Sequence, residues 1–160
     1  MARPAERFPS PTPGHEGSVR GLSADALLHL PVRLNGIDVG RPVDVILAPG
    51  LDRALGLDIL CGDSAHRFLP LSAARIAPDE ITLSSALTLV EDATFYARRG
   101  AGYRAALGHA IEKEGRRLGV LRDLLLGPDG SVTELVVESP DGATRRYRTD
   151  ELERTVTPAP

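Results

Sequence analysis

The densest run of positive charge in the chain lies between Arg98 and Arg122. Arg98, Arg99, Arg104, Lys113, Arg116, Arg117 and Arg122 stand there against Glu112 and Glu114. Guanidinium groups are planar, forked donors that suit carboxylates and phosphates. With Tyr96, Tyr103 and Tyr147 nearby, such a patch has the chemistry to hold RNA phosphates and stack on bases, or to meet the acidic face of a protein. Arg145, Arg146 and Arg148 extend it if their strand packs alongside. The competing reading is a solvated linker and hairpin face laced with exposed ion pairs, which contribute little. Arg98, Arg99, Arg104, Arg116, Arg117 and Arg122 are the candidate partner-binding residues.

Other chemistry-bearing residues have plainer readings. Asp44 and Asp123 sit at matching points inside apolar runs. A carboxylate pair works as acid and base only where both converge on one site with separated pKa values. An aspartate accepting backbone hydrogen bonds, or pairing with an arginine at a strand bend, explains the position more simply. Gly36, Gly40, Gly115 and Gly119 could suggest a phosphate loop, but such a loop must open a helix, and the residues that follow are strand-like. Cys61, His66 and His29 supply no second metal-binding pair. The four histidines, His15, His29, His66 and His109, have no nucleophile motif beside them. No catalytic residue, metal or cofactor is expected, and Cys61 reads as a small buried hydrophobe.

Composition sets the frame that must position these groups. The chain has 160 residues and a net charge of −3, so a dedicated nucleic-acid binder is disfavoured. A single cysteine excludes an internal disulfide and points to the cytoplasm. No apolar run approaches the roughly 18 residues of a membrane span, and the N-terminus lacks the apolar stretch of a secretory signal.

Residues 1–21 are rich in proline and glycine and read as a disordered arm. From Ala26 onward, short Val/Ile/Leu runs alternate with turn residues, the texture of a small barrel or sandwich. LLHLPVRL leads to Asn35-Gly36, the strongest two-residue hairpin signal. IDVGRPVDVILA follows, then ALGLDILC, HRFLPL and ITLSSALTLV as further strands. The pattern breaks between Glu91 and Gly108, where a turn or two of helix is expected, and then restarts. Unit one is placed at residues 26–91, a connector at 92–107, unit two at 108–156 and a frayed tail at 157–160.

The restart repeats the first half. NGIDVGRPVDVIL (from Asn35) and EGRRLGVLRDLLL (from Glu114) align without a gap: Gly36 meets Gly115, Gly40 meets Gly119, Asp44 meets Asp123 and Leu47 meets Leu126. Agreement of these matches with turn and strand boundaries points to duplication. The form is a turn glycine, three residues, glycine, three residues, aspartate, an aliphatic strand, a turn and another aliphatic strand. It resembles the PRC-barrel family, the small β-barrel shared by the photosynthetic reaction-centre H subunit and a ribosome maturation factor. The resemblance implies an all-β chain of two tandem PRC-barrel-like barrels joined by a short, partly helical connector. The membrane helix of the first relative and the different N-terminal barrel of the second are both missing from this pattern, so neither role carries over from fold alone.

Units of this size have marginal cores by themselves, which favours packing against each other or pairing as a homodimer. The expected function is a non-enzymatic adaptor or assembly module that binds a protein partner, without membrane insertion. The alternative is an RNA- or ribosome-associated processing or maturation factor using the same arginines.

Overall fold

The computed structural model describes residues 21–90 and 93–152. Residues 1–20 of the arm expected at 1–21, and the tail expected at 157–160, lie outside the described residues. The described residues begin with β1 (Leu22–Ser23) and a single helical turn, α1 (Ala24–Leu27), capped by Ser23, whose hydroxyl accepts the Ala26 N–H at 3.1 Å. The hairpin β2 (Val32–Leu34) and β3 (Ile37–Leu47) follows, then β4 (Ala54–Cys61) and β5 (His66–Pro70). A 3₁₀ turn at Leu71–Ala73 leads into the small hairpin β6 (Ala74–Ile76) and β7 (Ile81–Leu83). After α2 (Ala93–Arg99) come β8 (Ala101–Gly102), α3 (Tyr103–Ala106), β9 (Ala110–Lys113), β10 (Arg116–Leu126), β11 (Val132–Glu138) and β12 (Thr144–Arg148).

Two of the expected strands are shorter than their apolar runs. In LLHLPVRL only the three residues after Pro31 are extended, because α1 and the turn that follows it take the leucines. In ITLSSALTLV the strand ends at Leu83, where the Ser85 hydroxyl accepts the Leu87 N–H at 3.1 Å and starts a 3₁₀ turn. Both tight hairpins form where the turn residues predict them. Asn35 and Gly36 have φ of 50° and 79°, Glu114 and Gly115 have 54° and 76°, the double positive φ that matches the twist of the flanking strands.

The chain is mostly β, in two curled sheets. The first has the order β5-β4-β3-β2-β7-β6, with β8 added to β3; the second has the order β1-β10-β11-β12, with β9 added to β10. All pairings are antiparallel except β2 with β7. The first described strand does not join the sheet of its own half. β1 pairs with β10 (Leu22 with Leu126), and β8 pairs with β3 (Ala101 with Leu47). Part of the span 92–107, expected as a connector, is therefore sheet.

The same irregularities recur in both long strands. Val43 in β3 and Arg122 in β10 each stand unopposed between paired residues, so each strand bulges one residue before its aspartate. A bulge re-aims the side chain that follows it. Buried residues of both sheets form one cluster, with Leu27, Val45, Leu57, Ile59, Tyr103, Leu121, Leu124 and Val137 among its members. Burying such side chains is the main stabilising term, about 1.5–3 kcal/mol for each large one. A smaller cluster of Ile46, Phe68 and Ala93 holds α2 to the first sheet, where Tyr96 stacks on Phe68 with ring centroids 4.0 Å apart.

The second glycine of each motif is a packing requirement. At Gly119, with φ of 152°, an added Cβ would run into the Glu138 carbonyl oxygen; at Gly40 it would meet the Leu60 carbonyl oxygen at 2.6 Å. In both cases the obstacle is backbone of the neighbouring strand, which cannot swing away. Gly119→Ala is expected to destabilise the fold by about 2 kcal/mol, from backbone strain and steric displacement together. A denaturant melt checks this, and an unchanged midpoint contradicts it.

Candidate functional site

The aspartates following the bulges reach across from one half to the other. Asp123 accepts four hydrogen bonds: from Ser23 Oγ at 2.5 Å, Tyr103 Oη at 2.8 Å, its neighbour's Leu124 N–H at 2.8 Å and the Asp25 N–H of α1 at 3.2 Å. Asp44 accepts the Val45 N–H at 2.9 Å and the Arg104 N–H of α3 at 3.0 Å. Each carboxylate thus caps the first turn of the short helix from the opposite half, where free N–H groups favour negative charge.

The two sites differ in their further donors. Gly102 stands at the place in α3 that Ser23 occupies before α1, and Ala24 stands where the other helix has Tyr103. Asp44 therefore lacks two donors that Asp123 has. Burial pushes the Asp44 carboxyl above its ordinary value of 3.8; the N–H bonds from Arg104 and Val45 oppose the shift only in part. The Tyr103 hydroxyl is held well above the usual phenol range, first by burial and then by its bond to Asp123. These carboxylates do not converge on one site. They are paired structural caps, as a backbone-bonded aspartate was expected to be.

The candidate arginines divide by what they touch. Arg104 donates from Nε to the Val43 carbonyl at 2.6 Å, tying α3 to the bulge of β3. Arg122 pairs with Glu138 at 2.8 Å. Arg98 and Arg99 end α2, both exposed, on a helix that packs against β4, β5 and β8 of the first sheet. Arg116 and Arg117 open β10 at the tip of the second sheet's hairpin and are exposed. The six residues are thus spread over both sheets. The three arginines that would extend the patch are also paired: Arg145 with Asp141 at 3.9 Å, Arg146 with Glu134 at 3.9 Å and Arg148 with Asp150 at 2.9 Å. Among the described residues, Arg116 and Arg117 have no carboxylate partner.

None of the three tyrosines is offered as a stacking platform. Tyr96 lies on Phe68, Tyr103 is 1% exposed, and Tyr147 packs against the main core. Cys61, His66 and His29 have local partners, whereas the buried Nδ1 of His109 has none among the described residues. Cys61 Sγ sits 3.9 Å from the Ile59 carbonyl, His66 Nδ1 is 2.9 Å from Asp58, and His29 Nε2 is 3.6 Å from Asp25. No three His, Cys, Asp or Glu side chains among the described residues are placed to share a metal ion. No described helix is long and apolar enough to cross a membrane.

Sequence reading missed the strand exchange and, with it, Ser23 and Tyr103 as partners of Asp123. A signal for it was present. The register of the repeat continues upstream, with Gly21 opposite Gly100, Ala26 opposite Ala105 and Leu28 opposite Leu107. That extension puts β1-α1 and β8-α3 at matching positions of the alignment. No protein-family model matches the chain, and no curated protein matches it either.

Proposed function

We propose that the chain is a non-enzymatic adaptor or assembly module that works in the cytoplasm. In this reading it consists of two copies of a PRC-barrel-like unit, and it binds a protein partner through the tip of the β9–β10 hairpin. Support for two copies comes from the matching order of elements, the equivalent bulges and the reciprocal caps. The observation that carries the function is the contrast among the arginines. Arg104 and Arg122 are engaged, whereas Arg116 and Arg117 are exposed and without a described partner. Their counterparts at the tip of the β2–β3 hairpin are Ile37, 68% exposed, and Asp38. Duplicated units keep what the fold needs, and here the two tips have diverged in charge.

An acidic protein surface suits this tip better than RNA does. Two guanidinium groups can take carboxylates, but base recognition also calls for an exposed aromatic platform, and all three tyrosines are spent on packing. The test is capture from the native cell with the wild-type chain and with the double variant Arg116→Ala, Arg117→Ala. A protein retained by the wild type and lost by the variant is the expected result. The variant's stability should stay within about 0.5 kcal/mol of wild type, as for exposed positions generally. RNA retention that falls steeply with salt would favour a ribosome- or RNA-associated factor instead. Identical captures with both chains would contradict the role of the tip.

A further inference from the structure

The two halves differ at one sheet edge. In the first sheet, β2 has β3 on one side and β7 on the other, in parallel register: Val32 with Ile81, Arg33 with Thr82, Leu34 with Leu83. The Ile81 N–H donates to the Pro31 carbonyl at 2.9 Å, and Arg33 pairs with Glu80 at 3.0 Å. In the second sheet, β9 stands in the place of β2, and among the described residues its one strand neighbour is β10. Lys113 and Arg116 flank the two-residue turn, so they form the hydrogen-bonded pair of the hairpin. The next pair, Glu112 with Arg117, is of the non-bonded kind, and the N–H and C=O of Glu112 point away from β10. Such an edge is a template for another strand.

We infer that the β9 edge takes an extended segment of the partner protein, laid parallel to β9 as β7 is laid along β2. This inference rests on the adaptor reading and adds the binding mode and the partner's chemistry. The side chains on the edge specify the segment. Ile111 replaces Val32, so an apolar residue belongs opposite it, as Ile81 does in the first sheet. Glu112 replaces Arg33, so the acidic position of Glu80 becomes basic. Lys113 replaces Leu34, so the apolar position of Leu83 becomes acidic. The pattern is basic, apolar, any residue, acidic. Beyond its C-terminal end lies the tip with Arg116 and Arg117, which favours further acidic residues there.

The experiment uses the full chain, labelled for amide NMR, and two synthetic peptides. One carries the β7 sequence Asp79–Ser84; the other carries the same sequence with Glu80→Lys and Leu83→Glu. The second peptide should shift the amides of residues 110–113, slow hydrogen exchange at the Glu112 N–H, and bind about fivefold more tightly than the first, as two exposed charge pairs allow. Glu112→Pro removes the outward donor while leaving the β9–β10 ladder, so it should abolish the shifts. If that variant unfolds, protection of the Glu112 amide in the wild type decides the matter.

Shifts confined to Arg116 and Arg117, or binding at another sheet edge, overturn the edge and leave the adaptor reading standing. No response at millimolar peptide overturns it as well. Protection of Glu112 in the free chain together with a dimer by light scattering assigns the edge to a second copy and also overturns it. Failure of the adaptor reading itself shows separately, in the capture with the arginine variant.

Discussion

Separated at residue 92, the two halves of the chain are expected not to fold alone and to regain structure when mixed. Each half keeps its long strand but loses the short strand and helix that the other half lends it. For residues 93–160 the loss includes β1 and α1, whose Ala24 and Leu27 are 0% exposed in the intact chain. For residues 1–92 it includes β8 and α3, with Tyr103 at 1% and Ala106 at 3%. Removing one large buried side chain costs about 2–5 kcal/mol, and folds of this size have only about 5–15 kcal/mol in total. Each half would also expose the cluster that both sheets share. Amide NMR of the separate and mixed fragments checks this. A dispersed spectrum and a cooperative melt from either fragment alone would refute the shared core.

Asp123→Ala should be the most damaging single polar substitution. It strips the partner from a buried tyrosine hydroxyl, from Ser23 and from two N–H groups. Hydrogen bonds to a charged acceptor contribute about 1.5–3 kcal/mol each but do not add in full. A total loss of about 3–4 kcal/mol is expected, which for a chain of this length lowers Tm by roughly 10 °C. Asp44→Ala should cost less, about 1–2 kcal/mol, because only two donors lose their partner and the substitution also removes a carboxylate that burial penalises.

The sign of the pH effect also separates Asp44 from an ordinary paired carboxylate. Its folded pKa lies above the unfolded value of 3.8, so the folded chain holds the proton more tightly. Stability from this group is fully present below 3.8 and is lost as pH rises through the folded pKa. Asp44→Asn keeps an acceptor for the two N–H groups and removes that loss, so its stability relative to wild type should improve as pH rises from 4 to 7. Calorimetry across that range reads the difference, and a constant offset would show that Asp44 is not penalised by burial.

How much of this was legible beforehand differs residue by residue. Asn35-Gly36 and the matching turn at Glu114-Gly115 were readable because two-residue hairpins demand positive φ, a local property of the chain. Gly119 and Asp123 were readable as structural positions because they recur with Gly40 and Asp44 at fixed spacing. Their partners were not readable. The carbonyl that excludes a side chain at Gly119 belongs to Glu138, and the donors to Asp123 come from as far as Ser23. The surroundings of the arginines were not readable for the same reason. Arg104 and Arg122 reach a backbone carbonyl and a glutamate, while Arg116 and Arg117 stand at a hairpin tip.

The sequence by itself determined the β texture and the hairpin positions, since these depend on periodicity and turn chemistry within a few residues. Only the tertiary structure decided which sheet each short strand joins and that the two sheets share one core. Those outcomes depend on contacts between residues 54 to 104 positions apart, and local propensity carries no information about them.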